Sequence, residues 1–171
     1  MSATGADQAR QATRRGVLRL ALSGVLLPGL TACGLKGPPP PPPPARLSGS
    51  LIGAADLNPS TSDRPSPLRL RLYELRTVAA FQQADFMALY QQDQTTLGAD
   101  LLGREELMLN PGETRPYALK VLSAETRFVA VVALYRDLEH ATWRAFAPVV
   151  PSKAHELTLH ARRLAVSLTL A

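Results

Sequence analysis

Hydrophobic and polar residues alternate with a period of two over most of the chain after residue 45. Leu68, Leu70 and Leu72 alternate with arginines, which is typical of a half-buried strand with outward charges. Similar short alternations cover residues 46–54, 105–109, 117–119, 142–149, 156–160 and 164–170. Residues 128–135 are nearly all apolar and indicate a central strand covered on both faces. The pattern predicts roughly seven or eight short strands in an all-β fold, an antiparallel two-sheet β-sandwich.

One interval interrupts this alternation. Residues 77–92 are rich in Ala and Gln, with aromatic and leucine side chains at helical spacing. Asp85 is expected to cap a short helix, and Thr77 an earlier one. We therefore expect a short helical insertion of one or two helices between strands, followed by a loop over residues 95–104.

The N-terminal residues have the three parts of a secretory signal peptide. A basic segment precedes an apolar run over residues 20–30, which is too short to span a bilayer. The run ends in Leu30-Thr31-Ala32-Cys33, which resembles the lipobox of bacterial lipoproteins. The resemblance implies cleavage between Ala32 and Cys33 and a covalent lipid on Cys33. An adjacent arginine pair in the basic segment leaves both general and twin-arginine export open.

Seven consecutive prolines, residues 38–44, follow the cysteine. Such a run adopts polyproline II at about 3.1 Å per residue, which gives a semi-rigid spacer of roughly 20 Å. A ligand for a proline-binding groove is the alternative, but the run joins Cys33 directly to the folded part, which favours the spacer. The sequence thus predicts a lipoprotein signal peptide at residues 1–32, a lipidated cysteine and polyproline linker at 33–45, and a β-sandwich domain at 46–171.

Charge and cysteine content argue against nucleic-acid binding, disulfide bonds and cysteine-based metal sites. The leader accounts for three of the five net positive charges, so the mature chain lies close to +2 and is not expected to bind nucleic acid. With the only cysteine acylated, neither a disulfide nor a cysteine-based metal site can form. The lipid on Cys33 is the one non-protein group that we expect.

Residues with catalytic or metal-binding chemistry are sparse. The histidines, His140, His155 and His160, lack the spacing and companion ligands of a metal site. Glu105 and Glu106 are neighbours that would point to opposite faces of a strand, and we expect them to flank a turn. Because the sequence contains no nucleophile or phosphate-binding motif, we do not expect an enzyme.

The loop that joins the first two predicted strands has two interpretations. In one it is a proline-stiffened connection in which Asn58 and Asp63 hold turns. In the other it is a docking loop, because two prolines reduce the entropy lost on binding and charged residues give polar specificity. The residues alone do not decide between these interpretations.

Several segments resemble, in their order, the outer-membrane lipoproteins of type VI secretion systems, the TssJ/VasD-like family. Together they extend over roughly residues 47–150, most of the mature domain, and lie behind the lipobox. The matching segments are Leu57-Asn58-Pro59, Arg64-Pro65-Ser66-Pro67-Leu68, Leu70-Arg71-Leu72-Tyr73-Glu74-Leu75, Phe81 with Ala84-Asp85-Phe86 and Leu89-Tyr90, Leu97-Gly98-Ala99-Asp100, Arg104-Glu105-Glu106-Leu107, Pro111-Gly112-Glu113, Val131-Val132-Ala133-Leu134-Tyr135-Arg136-Asp137-Leu138 and Trp143-Arg144.

This resemblance implies a transthyretin-like sandwich tethered to the periplasmic face of the outer membrane through its lipid anchor. It implies a scaffolding role in the type VI secretion membrane complex, in which the protein binds the periplasmic C-terminal region of the large inner-membrane component (TssM-like). In the family the loop between the first two strands is implicated in that contact, and here this loop corresponds to residues 55–66. The predicted partner-binding residues are Asn58, Pro59, Asp63, Arg64 and Pro65.

A lipid-anchored β-sandwich that binds a small molecule or glycan is the alternative function. It would need a concave site lined by aromatic side chains. Aromatic residues make up only 5% of the chain, which disfavours this alternative.

Overall fold

The computed structural model describes residues 43–171, which form two four-stranded sheets and three short helices. The signal peptide predicted at residues 1–32, the lipidated Cys33 and most of the proline run lie outside the described residues. The elements are β1 (Arg46–Gly53), β2 (Leu68–Leu75), α1 (Ala79–Gln83), α2 (Phe86–Gln91), α3 (Asp93–Leu97), β3 (Leu101–Leu109), β4 (Thr114–Val121), β5 (Phe128–Ala133), β6 (Arg144–Pro148), β7 (Ala154–Ala161) and β8 (Val166–Leu170). Within these residues no helix has the length and apolar character needed to cross a membrane.

The predicted two-sheet sandwich is confirmed. One sheet has the strand order β4-β1-β7-β8 and the other β3-β2-β5-β6. One pairing differs from the antiparallel expectation, since β1 and β7 run parallel, with Arg46 opposite Ala154 and Gly53 opposite Ala161. A parallel pair needs a long crossover, and here the chain builds the whole second sheet and β4 between these two strands.

The parallel pair depends on a close backbone approach at Gly49. Its register with β4 shifts between Leu47 and Gly49, as at a β-bulge. A Cβ atom built on Gly49 would lie 1.9 Å from the carbonyl oxygen of Leu157 on β7. Only glycine fits at this position of β1.

The core between the sheets is built largely from the alternating residues that the sequence indicated. Leu68 and Leu70 are fully buried, and Leu72 is nearly so. In β5, both Val131, which faces the other sheet, and Val132, which faces the helices, are buried. The expectation that β5 is covered on both faces is therefore confirmed.

The helical insertion lies over the outer face of the second sheet. Asp85 caps α2, because its carboxylate accepts a hydrogen bond of 2.7 Å from the amide of Ala88. The expected cap at Thr77 is wrong, since Val78 precedes α1 without a side-chain cap and the Thr77 hydroxyl donates to Asp100. The expected loop over residues 95–104 is also wrong, because α3, a turn of 3-10 helix and the start of β3 occupy it.

A buried ion network fastens these helices to the sheet. Arg71 was expected to face solvent, but the insertion covers it and leaves it 7% exposed. Its guanidinium donates to the carbonyls of Leu89 and Tyr90 and to the carboxylates of Asp93 and Glu106. The guanidinium thereby joins β2 to α2, α3 and β3.

Asp93 is the acidic centre of this network. Burial opposes its ionisation, but hydrogen bonds and positive charge from Arg104 and Arg71 outweigh that effect and lower the pKa of Asp93. Burial also raises the pKa of the neighbouring Tyr73 to about 12, so this phenol stays protonated. The network thus combines ionised Asp93 with a neutral hydroxyl that donates to it.

The expectation that Glu105 and Glu106 flank a turn is wrong, because both lie within β3. They do point to opposite faces, as neighbours on a strand must. Glu106 meets Arg71 on the helix-covered face, whereas Glu105 accepts a hydrogen bond from the hydroxyl of Tyr117 on the other face.

Candidate functional site

The connection between β1 and β2, residues 54–67, is a compact loop at one end of the sandwich; we call it the docking loop. Backbone hydrogen bonds close it from within: the amide of Ser66 donates to Leu57, and the amide of Ser60 donates to Arg64. The turn inside it has a left-handed residue, Asp63, at φ 63°. The loop is therefore a folded unit with a defined tip.

Asn58 joins this loop to the rest of the domain. It is 2% exposed and left-handed at φ 46°, a conformation that Asn adopts more readily than most residues. Its side-chain amide donates to the carbonyl of Pro67 at 2.9 Å, and its side-chain oxygen accepts from the backbone amide of Arg136 at 2.9 Å. Its own backbone amide donates to the carbonyl of Arg163. Asn58 is thus a buried link among three connections of the chain.

The other predicted partner-binding residues divide between the base and the tip of the docking loop. Pro59 is buried beside Asn58, whereas Asp63, Arg64 and Pro65 are exposed. That these residues contact a partner stays a prediction. Of the five predicted residues, those that a partner can reach directly are Asp63, Arg64 and Pro65.

An ion pair connects the tip of the docking loop to the turn between β7 and β8. The carboxylate of Asp63 pairs with the guanidinium of Arg163 across 100 residues of sequence. This hydrogen bond and the charge of Asp63 raise the pKa of Arg163. Both side chains remain largely exposed, so the pair orients the tip more than it stabilises the fold.

A cleft of about 450 Å³ opens beside the docking loop; we call it the arginine cleft. Three connections contribute to it: the docking loop, the segment after β5, and the turn between β7 and β8. Its lining residues are Pro59, Ser60, Thr61, Asp63, Arg136, Asp137, Arg163 and Leu164.

The second carboxylate of the cleft also has a hydrogen-bond partner within the domain. Asp137 lies 2.9 Å from the ring nitrogen Nδ1 of His140, and the backbone amide of His140 donates to the same carboxylate. These hydrogen bonds lower the pKa of Asp137. Because both side chains are exposed, the contact orients the carboxylate and adds little to stability.

Sequence reasoning missed the contribution of Arg136, Asp137 and Arg163. The available signal was topological, because connections after β1, β5 and β7 must meet at one end of a sandwich whose strands alternate in direction.

His155 and Trp143, two further residues with side chains suited to catalysis or binding, pack within the domain. His155 is buried, with Nε2 within hydrogen-bond distance of the backbone of Val150. Trp143 is partly buried, and it packs both against the core between the sheets and against the apolar side chains between the second sheet and the helices. Among residues 43–171 no three His, Cys, Asp or Glu side chains are grouped to hold a metal ion.

Comparison with known proteins decides the family. Residues 45–164 match the profile of the T6SS-SciN family, described as type VI secretion lipoproteins (VasD, EvfM, TssJ). The chain belongs to the type VI secretion lipoprotein family. No curated protein sequence matches it significantly.

Solved structures of this lipoprotein family share the fold. The T6SS lipoprotein TssJ1 from Pseudomonas aeruginosa is 40% identical over 75% of this chain and 98% of its own, with a TM-score of 0.72. Lip from Serratia marcescens, a membrane-bound component of the type VI secretion system, is 26% identical over 75% of this chain and 96% of its own, with a TM-score of 0.66. A chain of the structure described as the T6SS protein TssM C-terminal domain from EAEC is 22% identical over 73% of this chain and 99% of its own, with a TM-score of 0.57.

Proposed function

We propose that this lipoprotein is a non-enzymatic scaffold on the periplasmic face of the outer membrane. In this role the docking loop binds the periplasmic C-terminal region of the TssM-like inner-membrane component. Membership of the type VI secretion lipoprotein family supports a role in type VI secretion. The choice of partner is supported by a chain of this fold in a structure described as the TssM C-terminal domain. Both the identity of the partner and the location on the periplasmic face of the outer membrane are proposed.

One observation carries the proposal: the docking loop is held rigid at the far end of β1. The chain enters β1 at Arg46 and leaves it at Gly53, so the strand spans about 25 Å between the linker and the loop. Asn58 fixes the base of the loop, and the pair of Asp63 with Arg163 orients its tip. A preorganised loop at this position loses little conformational entropy when a partner binds it.

The anchor is the second part of the proposal. Cleavage after Ala32 leaves Cys33 as the first residue, with a lipid on its sulfur and an acylated amino group. Two or more acyl chains hold a protein to a membrane far more stably than one. The seven prolines then act as a spacer between the lipid surface and β1.

The test measures binding of the purified mature lipoprotein, in detergent, to the periplasmic C-terminal region of the TssM-like protein from the same organism. The double variant Arg64→Ala/Pro65→Gly is expected to weaken affinity about tenfold, because a few exposed contacts carry most binding energy. Its melting temperature should fall only slightly, because both side chains are exposed and the main cost is the extra conformational entropy that Pro65→Gly gives the unfolded chain. Arg46→Ala, an exposed arginine at the opposite end of β1, is the matched control and should bind normally. Absence of saturable binding by the wild-type protein would refute the proposal.

The alternative of a glycan- or small-molecule-binding sandwich is not supported by the cleft. The arginine cleft has a suitable volume, but none of its eight lining residues is aromatic. Sugar and drug-like ligands are held mainly by apolar and aromatic surfaces. The charged lining of the cleft suits a protein partner better.

A further inference from the structure

The charges around the arginine cleft are unevenly paired. Both of its carboxylates already have a side-chain partner, Asp63 in Arg163 and Asp137 in the ring of His140. Arg136 has no such partner: its side chain is exposed, and among residues 43–171 its guanidinium makes neither a hydrogen bond nor a salt bridge. The carboxylates of the cleft are thus already engaged within the domain, whereas the guanidinium of Arg136 keeps its donors free.

Arg136 is held on a fixed backbone. Its amide donates to the side-chain oxygen of the buried Asn58, which belongs to the base of the docking loop. The preceding Tyr135 is 3% exposed, and its hydroxyl donates to the carbonyl of Arg162 at 3.0 Å. The backbone that carries the free guanidinium is therefore held in place by both the core and the docking loop.

We propose that the arginine cleft receives an acidic side chain of the protein partner, with Arg136 as the arginine that pairs with it. The docking surface then extends from the loop after β1 to the connection after β5. This inference rests on the proposed function and names the chemistry of the partner at that site. An arginine with free donors is suited to this role, because its planar guanidinium binds a carboxylate through two parallel hydrogen bonds.

An anionic lipid headgroup would offer the same charge, but the position of the cleft disfavours it. The residues that precede β1 and lead toward Cys33 join the strand at Arg46, whereas the cleft lies beside the loop that follows Gly53. The length of β1, about 25 Å, separates the two ends. The cleft therefore lies at the end of β1 remote from the residue at which the linker joins the strand.

The experiment compares Arg136→Gln, Arg136→Lys and the control Arg46→Gln in the detergent-solubilised mature lipoprotein. The probe is the purified periplasmic C-terminal region of the TssM-like protein. Arg136→Gln is expected to weaken binding about tenfold, and Arg136→Lys to restore part of it, because the charge is retained but the paired hydrogen bonds of the guanidinium are lost. The difference between wild type and Arg136→Gln should shrink when salt rises from about 50 mM to about 500 mM. Arg46→Gln removes the same charge at the opposite end of β1 and should leave the affinity unchanged.

Each other outcome overturns a defined part of this account. Wild-type binding with an equal affinity for Arg136→Gln overturns the inference and leaves the proposed function standing. If Arg136→Lys binds as weakly as Arg136→Gln, the charge is not the cause and the inference is wrong. If Arg136→Gln lowers binding to phosphatidylglycerol vesicles but not to the TssM-like probe, a lipid occupies the cleft. If the wild-type protein does not bind the probe, the proposed function fails and the inference fails with it.

Discussion

Replacing Asn58 with Ala tests how the docking loop is held. The substitution removes two buried hydrogen bonds, the one to the carbonyl of Pro67 and the one from the amide of Arg136. Each contributes about 1 kcal/mol to stability. Ala also tolerates the left-handed backbone at φ 46° less well than Asn, at a further cost of about 1 kcal/mol. We therefore expect Asn58→Ala to lower the free energy of unfolding by about 3 kcal/mol.

The measurement is equilibrium denaturation in urea of the chain expressed from residue 34 onward, with the free energy taken by linear extrapolation. Asn58→Gly separates the two contributions, since glycine accepts φ 46° without steric cost but makes neither hydrogen bond. It should be less destabilised than Asn58→Ala by about 0.5 kcal/mol, because the strain of about 1 kcal/mol is absent but glycine loses more backbone entropy on folding, at a cost of about 0.5 kcal/mol. Asp63→Gly is the control, because it keeps a left-handed position and removes only an exposed ion pair, so stability should hardly change.

Local hydrogen exchange adds a readout at the site itself. In Asn58→Ala the backbone amide of Arg136 loses its acceptor and should exchange faster, while amides in the middle of β5 should follow global unfolding. A free energy of unfolding for Asn58→Ala within about 0.5 kcal/mol of wild type would refute the reasoning. The loop would then be held by its backbone alone.

Three further predictions concern the sheet, the ion network and the anchor. Gly49→Ala should destabilise the domain by about 3 kcal/mol or more in urea denaturation, because its Cβ would lie 1.9 Å from the carbonyl oxygen of Leu157; Gly98→Ala, which meets no atom within 4 Å, should cost only the strain of its positive φ. Asp93 has a pKa lowered from 3.8 in the folded state, so its charge stabilises the fold above that pH and the benefit is lost as pH falls through the folded pKa. The stability difference between wild type and Asp93→Asn should accordingly be constant from about pH 5 to pH 8 and shrink below about pH 4, and a difference that does not change over this range would contradict the assignment. Cys33→Ser should abolish labelling by radioactive palmitate and shift the protein out of the outer-membrane fraction, and unchanged fractionation would count against the tether.

The elements with a clear local pattern could be predicted from the sequence. The alternation around Leu70 predicted β2, and the apolar run from Phe128 predicted β5. Both predictions were possible because alternating apolar residues indicate a strand buried on one face, and a continuous apolar run indicates a strand buried on both. Asp85 was identified as a helix cap because a side-chain acceptor before an apolar turn satisfies local amides. In each case the deciding interaction lies within a few residues of sequence.

The wrong expectations share a different origin. Arg71 was placed in solvent because its neighbours alternate, yet the covering helices come from a later segment of the chain. The start of β3 was taken for a loop because its glycine-containing sequence has weak strand propensity, while pairing with β2 forms the strand. Both errors concern interactions between segments that are remote in sequence.

Residue patterns along the chain were enough to predict the sandwich, the place of the helical insertion, the resemblance to the lipoprotein family and the docking loop as a segment of interest. The burial of Asn58 at the base of that loop, and the positions of Arg136 and Arg163 beside it, became visible only in the folded domain. The physical reason is that periodicity and capping act over a few residues, whereas the cleft arises where the ends of strands from both sheets meet. A charge without a partner can be recognised only when every neighbouring charge has been placed.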